Sequence, residues 1–147
     1  ISLPPGEYGN SFIDELFCNC LDINVHPYFK EIEGLEVSAH LLIKRDGSMV
    51  QYVSFLDRAW HAGASNFEGV ENCNDFSIGI ELEGLEGETF ELAQYQNLSK
   101  ICDVLMRTYP LLNKNRICAH SEISPGRKQD PGDGFDWQYL MNCLEDQ

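Results

Sequence analysis

An α/β layer fold in a single domain is what this sequence predicts, and three patterns predict it. Apolar and polar residues alternate at the period of a strand in two stretches, a longer stretch repeats apolar residues every three to four positions, and strand-like and helix-like stretches follow one another along the chain. Length agrees, since 147 residues with 43% hydrophobic and 11% aromatic content suit one well-filled core. No internal repeat, low-complexity tract or linker rich in Gly, Pro or Ser divides residues 1–147.

Ile1 to Asn10 is a Pro and Gly loop, after which Phe12, Ile13, Leu16 and Phe17 form a short helical stripe, and the stretch to about Gly34 is irregular. Val37, Ala39, Leu41 and Ile43 alternate with Ser38, His40, Leu42 and Lys44. The turn Arg45-Asp46-Gly47-Ser48 then leads into Met49 to Ser54, which makes an antiparallel hairpin. In a third strand Phe76, Ile78, Ile80 and Leu82 alternate with Ser77, Gly79, Glu81 and Glu83, so one face is apolar and the other carries two carboxylates. Leu92, Tyr95, Leu98, Cys102, Leu105 and Tyr109 define the longest helix, which Pro110 stops. Arg116 to Ala119 reads as a short strand delivering His120 to a loop bent at Pro125-Gly126, and Trp137, Leu140, Met141 and Leu144 predict a closing helix.

Composition removes some partners. Ten Lys and Arg against 24 Asp and Glu leave a net charge of -14, which argues against a nucleic-acid backbone or an anionic membrane surface and reads as solubility. No apolar run reaches membrane-spanning length and no signal peptide is visible, although the chain begins at Ile1 rather than Met. The six cysteines do not space out like a secreted disulfide framework, so reduced, packed thiols are expected; for the Cys18-Asn19-Cys20 pair metal binding or redox chemistry is the lesser alternative, since no second Cys pair accompanies it.

The chemistry concentrates in His120-Ser-Glu-Ile-Ser-Pro-Gly-Arg-Lys128-Gln-Asp130, a loop just past a strand end. Neutral imidazole and carboxylate are both good zinc donors, a turn at Pro125-Gly126 could return Asp130 to His120, and Lys128 beside them could stabilise an oxyanion. A polar surface loop is the competing reading of the same residues. Glu81, on a strand whose other face is apolar, is a candidate proton acceptor, whereas Glu83 is expected to face solvent. Trp60 and His61 before Gly63 suit a sugar or peptide wall, or in the case of Trp60 ordinary core packing. His26 and His40 read as structural.

Several of these stretches together resemble a known family. Ile1-Ser-Leu-Pro-Pro-Gly, His26-Pro-Tyr-Phe, Val37-Ser-Ala-His40, Arg58-Ala-Trp-His-Ala-Gly63, Cys73-Asn-Asp-Phe-Ser-Ile-Gly-Ile-Glu-Leu-Glu-Gly84 and Arg127-Lys-Gln-Asp-Pro-Gly132 are similar to the AmpD-type N-acetylmuramoyl-L-alanine amidases. That family is related in fold to phage amidase lysozymes and peptidoglycan recognition proteins. The resemblance implies a mixed central β-sheet flanked by helices, and a cytoplasmic zinc hydrolase of peptidoglycan recycling. Its substrate would be anhydromuropeptide, cut at the amide between (1,6-anhydro) N-acetylmuramic acid and L-alanine of the stem peptide. It further implies His120 and Asp130 as zinc ligands, Lys128 near the oxyanion, Glu81 as the proton carrier, and Tyr28, Trp60 and Leu82 in the substrate groove. The family's first zinc histidine would lie on a strand directly before Ile1, so the expectation is a chain cropped at its N-terminus and lacking one central strand. Substitution by His40 or His61, or a non-catalytic muropeptide-binding module without a complete zinc site, are the alternatives. Glu36 and Asn72 stand where the family leads one to expect arginines that hold stem-peptide carboxylates.

Overall fold

A computed structural model describes residues 1–145. Its main sheet has the order β2-β1-β5, with β1 (Leu41–Ile43) antiparallel to β2 (Met49–Gln51) and parallel to β5 (Ile80–Leu82). The sheet is therefore mixed, as expected. The hairpin turn closes with the Lys44 amide donating to Ser48 O at 2.8 Å. A separate two-stranded ribbon, β3 (Asn66–Phe67) and β4 (Val70–Glu71), was not anticipated. Its signal is the two-residue turn Glu68-Gly69, both at positive φ, which suits the twist of a tight hairpin.

All three residues of β1 are buried, because the strand is central and covered on both faces. Leu42 packs with Leu3, Phe29 and the stripe of α1 (Phe12–Phe17), namely Ile13, Leu16 and Phe17. Ile43 points the other way, into Tyr95, Leu98 and Cys102 of α2 (Leu92–Thr108) and Leu140 and Leu144 of α4 (Trp137–Glu145). The result is a helix, sheet, helix sandwich. α1 stops where Asn19 adopts a left-handed conformation (φ 55°) and the Cys20 amide reaches back to Glu15 O at 2.9 Å. The irregular stretch before Gly34 contains a six-residue 3-10 helix, Pro27–Ile32, whose first turn is capped by His26 accepting from the Tyr28 amide. Among the described residues no helix is long and apolar enough to cross a membrane.

Three sequence expectations need correction. First, Ile117 to Ala119 is extended but belongs to no sheet, since no strand lies beside it among the described residues. His120 itself opens a single helical turn, α3 (His120–Ile123). Second, Cys73 and Cys102 are buried thiols, but Cys18 and Cys20 are exposed. Third, Glu83 does not face solvent. It is 2% exposed, and its two carboxylate oxygens accept from the Gly9 amide (2.7 Å) and the Arg45 amide (3.0 Å). Alternation correctly set Glu81 and Glu83 on one face, yet the opening loop and the hairpin turn fold over the Glu83 end of it.

Glu83→Ala leaves both of those amides without their acceptor, and each such loss costs about 1–3 kcal/mol. Chemical denaturation is expected to show a stability loss of roughly 2–4 kcal/mol. Glu83→Gln, with one acceptor oxygen instead of two, should fall between the variant and the parent.

Candidate functional site

An apolar cleft of about 650 Å³ runs between β5 and the extended segment 117–119. Ile80 and Leu82 form one wall, Ile117 and Ala119 the other, and Leu98, Cys102 and Leu140 line its interior. His61, Glu81, His120 and Asp130 also border it, so with Leu82 five of the residues singled out from sequence meet around one cavity.

His120 and Asp130 meet because the 120–130 loop folds back on itself. The Ser121 amide donates to Asp130 O at 3.1 Å, and the Lys128 amide to Ser124 O at 3.0 Å. The side chains then face each other, with His120 Nδ1 3.1 Å from Asp130 Oδ2. The other ring nitrogen, Nε2, lies 3.0 Å from Ala62 O, a carbonyl that can only accept. With a proton on Nε2 this contact is a hydrogen bond and the Nδ1 lone pair of the neutral ring faces the Asp130 carboxylate, an arrangement that needs a proton or a cation between the two; with the proton on Nδ1 instead, Nε2 accepts from Arg127 Nη2, 3.3 Å away. Asp130 hydrogen bonding raises the pKa of His120 against the opposing effect of burial. Burial pushes Asp130 up, but the hydrogen bond and charge of His120 outweigh it and hold the carboxyl below its ordinary range.

An imidazole nitrogen and a carboxylate oxygen 3.1 Å apart are two donors of the kind that would hold a zinc ion. A hydrolytic zinc site uses three protein donors. Among the described residues no third His, Cys, Asp or Glu joins these two. His40 cannot serve, being 1% exposed with Nδ1 accepting from the Gly79 amide and Nε2 bonded to Asp57 O, each at 3.0 Å. His61 lines the cleft, but its ring is packed against Gly79 so closely that a Cβ there would lie 2.3 Å from the imidazole.

The remaining candidates are distributed around this centre. Lys128 is exposed and lines a second, polar groove with Glu86, Gln129 and Asp133, yet it is near enough to influence the charge of both His120 and Asp130. Trp60 is 59% exposed, which rules out the core-packing reading, and the Arg58 guanidinium stacks 3.8 Å from its ring centre while bonding Asp75 at 2.6 Å. Leu82 both lines the cleft and packs on the α2 core. Tyr28 lies outside the cleft, against the core around Phe29. Glu36 and Asn72 are exposed, Asn72 in a left-handed conformation (φ 59°).

Sequence reasoning missed the residues that hold loop 60–64 against this centre. Asn74, 7% exposed, accepts through Oδ1 from the His61 amide (3.0 Å) and the Ala62 amide (2.8 Å). Arg127 donates from Nη2 to Ala62 O at 2.5 Å and to Ser124 Oγ at 2.9 Å, and from Nε to Ala64 O at 3.2 Å. Both residues sit inside runs already noted, but nothing in spacing or residue type marks them as supports.

An α/β sandwich with an imidazole and a carboxylate at the mouth of an apolar cleft is a common setting for hydrolases. The comparisons narrow the class. Residues 13–133 match the family described as N-acetylmuramoyl-L-alanine amidase, and the chain belongs to that family. It is 52% identical over 145 residues to the 1,6-anhydro-N-acetylmuramyl-L-alanine amidase AmpD of Haemophilus influenzae, covering 99% of this chain and 79% of that protein. A crystal structure of a selenomethionine AmpD derivative superposes with a TM-score of 0.95 at 52% identity, over 98% of this chain and 80% of the other. The Escherichia coli amidase AmiD, solved with the substrate anhydro-N-acetylmuramic acid-L-Ala-D-gamma-Glu-L-Lys, superposes at 0.69 with 32% identity, over 80% of this chain and 51% of that one.

His61 supplies a pH test of this packing. Burial first, and the charge of His40 second, depress its pKa from 6.5 to about 4. The folded protein then binds fewer protons than the unfolded chain between those values, so stability is full above pH 6.5 and drains as pH falls toward about 4. Calorimetric melting temperatures should drop across that window more steeply for the parent than for His61→Gln. Superimposable profiles would contradict the assignment.

Proposed function

We propose that the protein is a zinc-dependent amidase that hydrolyses the amide between (1,6-anhydro) N-acetylmuramic acid and L-alanine of the stem peptide, in cytoplasmic peptidoglycan recycling. The observation that carries the proposal is His120 Nδ1 meeting Asp130 Oδ2 at 3.1 Å on a cleft that Glu81 also borders, in a chain of this family. The substrate reading is supported by the similarity to the AmpD amidase of Haemophilus influenzae and to AmiD, which was solved with an anhydro-N-acetylmuramic acid peptide.

His120 and Asp130 would hold the zinc, which when bound lowers the pKa of water toward roughly 7 and polarises the scissile carbonyl. Glu81 then accepts the proton of the attacking water on its carboxylate and returns it to the leaving amine. Lys128 offsets negative charge as it develops on the carbonyl oxygen. Leu82, which lines the cleft, and Trp60, which is exposed, would contact the bound chain; Tyr28, outside the cleft, would reach it only through a more extended substrate.

The third donor is proposed to come from a strand joined to Ile1 from upstream, within the one amidase domain. Hydrogen bonding supports that position: Ile1 N donates to Leu82 O and the Gly84 amide to Ile1 O, both at 2.8 Å, which is parallel pairing beside β5. A strand continuing upstream from there would enter the cleft, whose apolar walls and unpaired β5 edge suit one. Binding of muropeptide without hydrolysis or metal uptake would instead support a non-catalytic module.

In a chain extended by that strand, Glu81→Gln is expected to lower release of L-alanyl peptide from anhydromuropeptide by about 10²–10⁴-fold while zinc content by elemental analysis stays stoichiometric. His120→Ala should lose the zinc itself. Full turnover by Glu81→Gln would remove Glu81 from its role, and a metal-free extended parent would sink the zinc assignment.

A further inference from the structure

Arg127 has no part in the reaction just described, yet its guanidinium is the most heavily engaged group near His120. From Nη2 it reaches Ala62 O (2.5 Å) and Ser124 Oγ (2.9 Å), from Nε it reaches Ala64 O (3.2 Å), and Nη2 lies 3.3 Å from His120 Nε2. When Nε2 is protonated, two N–H groups, one from Arg127 and one from His120, converge on the same Ala62 oxygen. A carbonyl with two lone pairs accommodates both.

Ala62 needs such a restraint. Asn74 fixes the amide side of the residue, but the carbonyl belongs to the next peptide plane, which ends on Gly63 at φ +60°. Glycine crosses this region freely, so nothing in the backbone alone prevents the 62–63 plane from turning its oxygen away from His120. Gly63 also leaves room for the clamp, because a Cβ there would lie 3.0 Å from Arg127 Nη2. Ser124, 4% exposed, completes the bracket by donating to Ala64 O at 2.8 Å.

We infer that Arg127 is a positioning residue: by pinning the Ala62 carbonyl under His120 Nε2, it orients the imidazole so that Nδ1, and not Nε2, faces Asp130, the orientation that would present Nδ1 to an ion held by the pair. The inference rests on the metal reading above for its purpose, but not for its geometry. Partners one step removed from a metal typically change its affinity by about 10–100-fold when lost. Lysine at this position keeps the charge but has one nitrogen where arginine uses two, so it cannot bridge the Ala62 and Ala64 carbonyls together.

The test uses Arg127→Ala and Arg127→Lys, with imidazole N–H protons of His120 observed by NMR in the metal-free protein at mildly acidic pH, where both ring nitrogens are protonated. The parent should show a slowly exchanging Nε2–H, held by Ala62 O, and an Nδ1–H held by Asp130. Both variants should lose the Nε2–H signal to solvent exchange while the Nδ1–H persists, a pattern that general unfolding would not produce. If the alanine variant fails to fold, the lysine variant decides. A retained Nε2–H in the folded variants, or full rescue by lysine, overturns the inference. Competition with a chelator for Zn²⁺ alone should then show about 10–100-fold weaker binding in the variants than in the parent. Failure of the parent to take up Zn²⁺ would count against the metal reading and leave the NMR result to decide the role of Arg127.

Discussion

Buried polar side chains must find partners, and in this protein that requirement holds the architecture together. The main sheet contributes only three residues per strand, too few ladder bonds to fix the surrounding loops. His40, Glu83 and Gln94, each at most 2% exposed, take over the task. His40 ties β1 to Gly79 and to the loop at Asp57; Glu83 gathers the amides of Gly9 and Arg45; Gln94 donates from one amide nitrogen to Ile43 O (3.1 Å) and Glu83 O (2.9 Å). Each of them bonds to backbone, so each fixes a segment rather than another side chain. No buried side-chain nitrogen or oxygen among the described residues lacks a partner, as a low-dielectric interior demands.

The same device builds the site. Loop 60–64 has little apolar anchorage, with Trp60 exposed and Gly63 free of a side chain, and it is held by Ser38 Oγ to the Trp60 amide, Asn74 to the next two amides, and Ser124 and Arg127 to the carbonyls beyond. Hydrogen bonds have direction where apolar contacts do not, and orienting a donor atom to within tenths of an ångström calls for direction. The geometry of His120 is thus inherited from a loop some sixty residues earlier in the chain.

This division explains what could be read from the sequence. Periodicity revealed α2 and the β1-β2 hairpin because their signals, a stripe from Leu92 to Leu105 and the turn Arg45 to Ser48, are local and decided by burial. That His120 and Asp130 could meet was legible from the turn at Pro125-Gly126 between them, but their spacing suits a polar surface loop as well, and the resemblance rather than the spacing singled them out as metal donors. Glu83, Asn74 and Arg127 were not legible, since their partners lie 74, 13 and 65 positions away at the farthest and are backbone atoms, which carry no residue-type signal. The extended segment 117–119 was read as a strand from its composition, and what it lacks is a neighbour, which composition does not report.

Charge adds a constraint on whatever enters the cleft. The chain carries -14 overall, so an anionic ligand such as a stem peptide is repelled at long range and must be captured by local cations. Four of the ten basic residues, Arg58, Arg116, Arg127 and Lys128, border the site or its rim, but the first three are engaged, Arg58 with Asp75, Arg116 with Glu68 at 3.7 Å, and Arg127 with backbone carbonyls. Lys128 forms no ion pair among the described residues. Glu36 and Asn72, both exposed, supply no positive charge. The one cation near the His120 and Asp130 pair without an ion pair among the described residues is therefore Lys128, whose charge acts on both of them. Local attraction of an anionic ligand then falls to a single side chain beside the pair, and the long-range field of the chain opposes it.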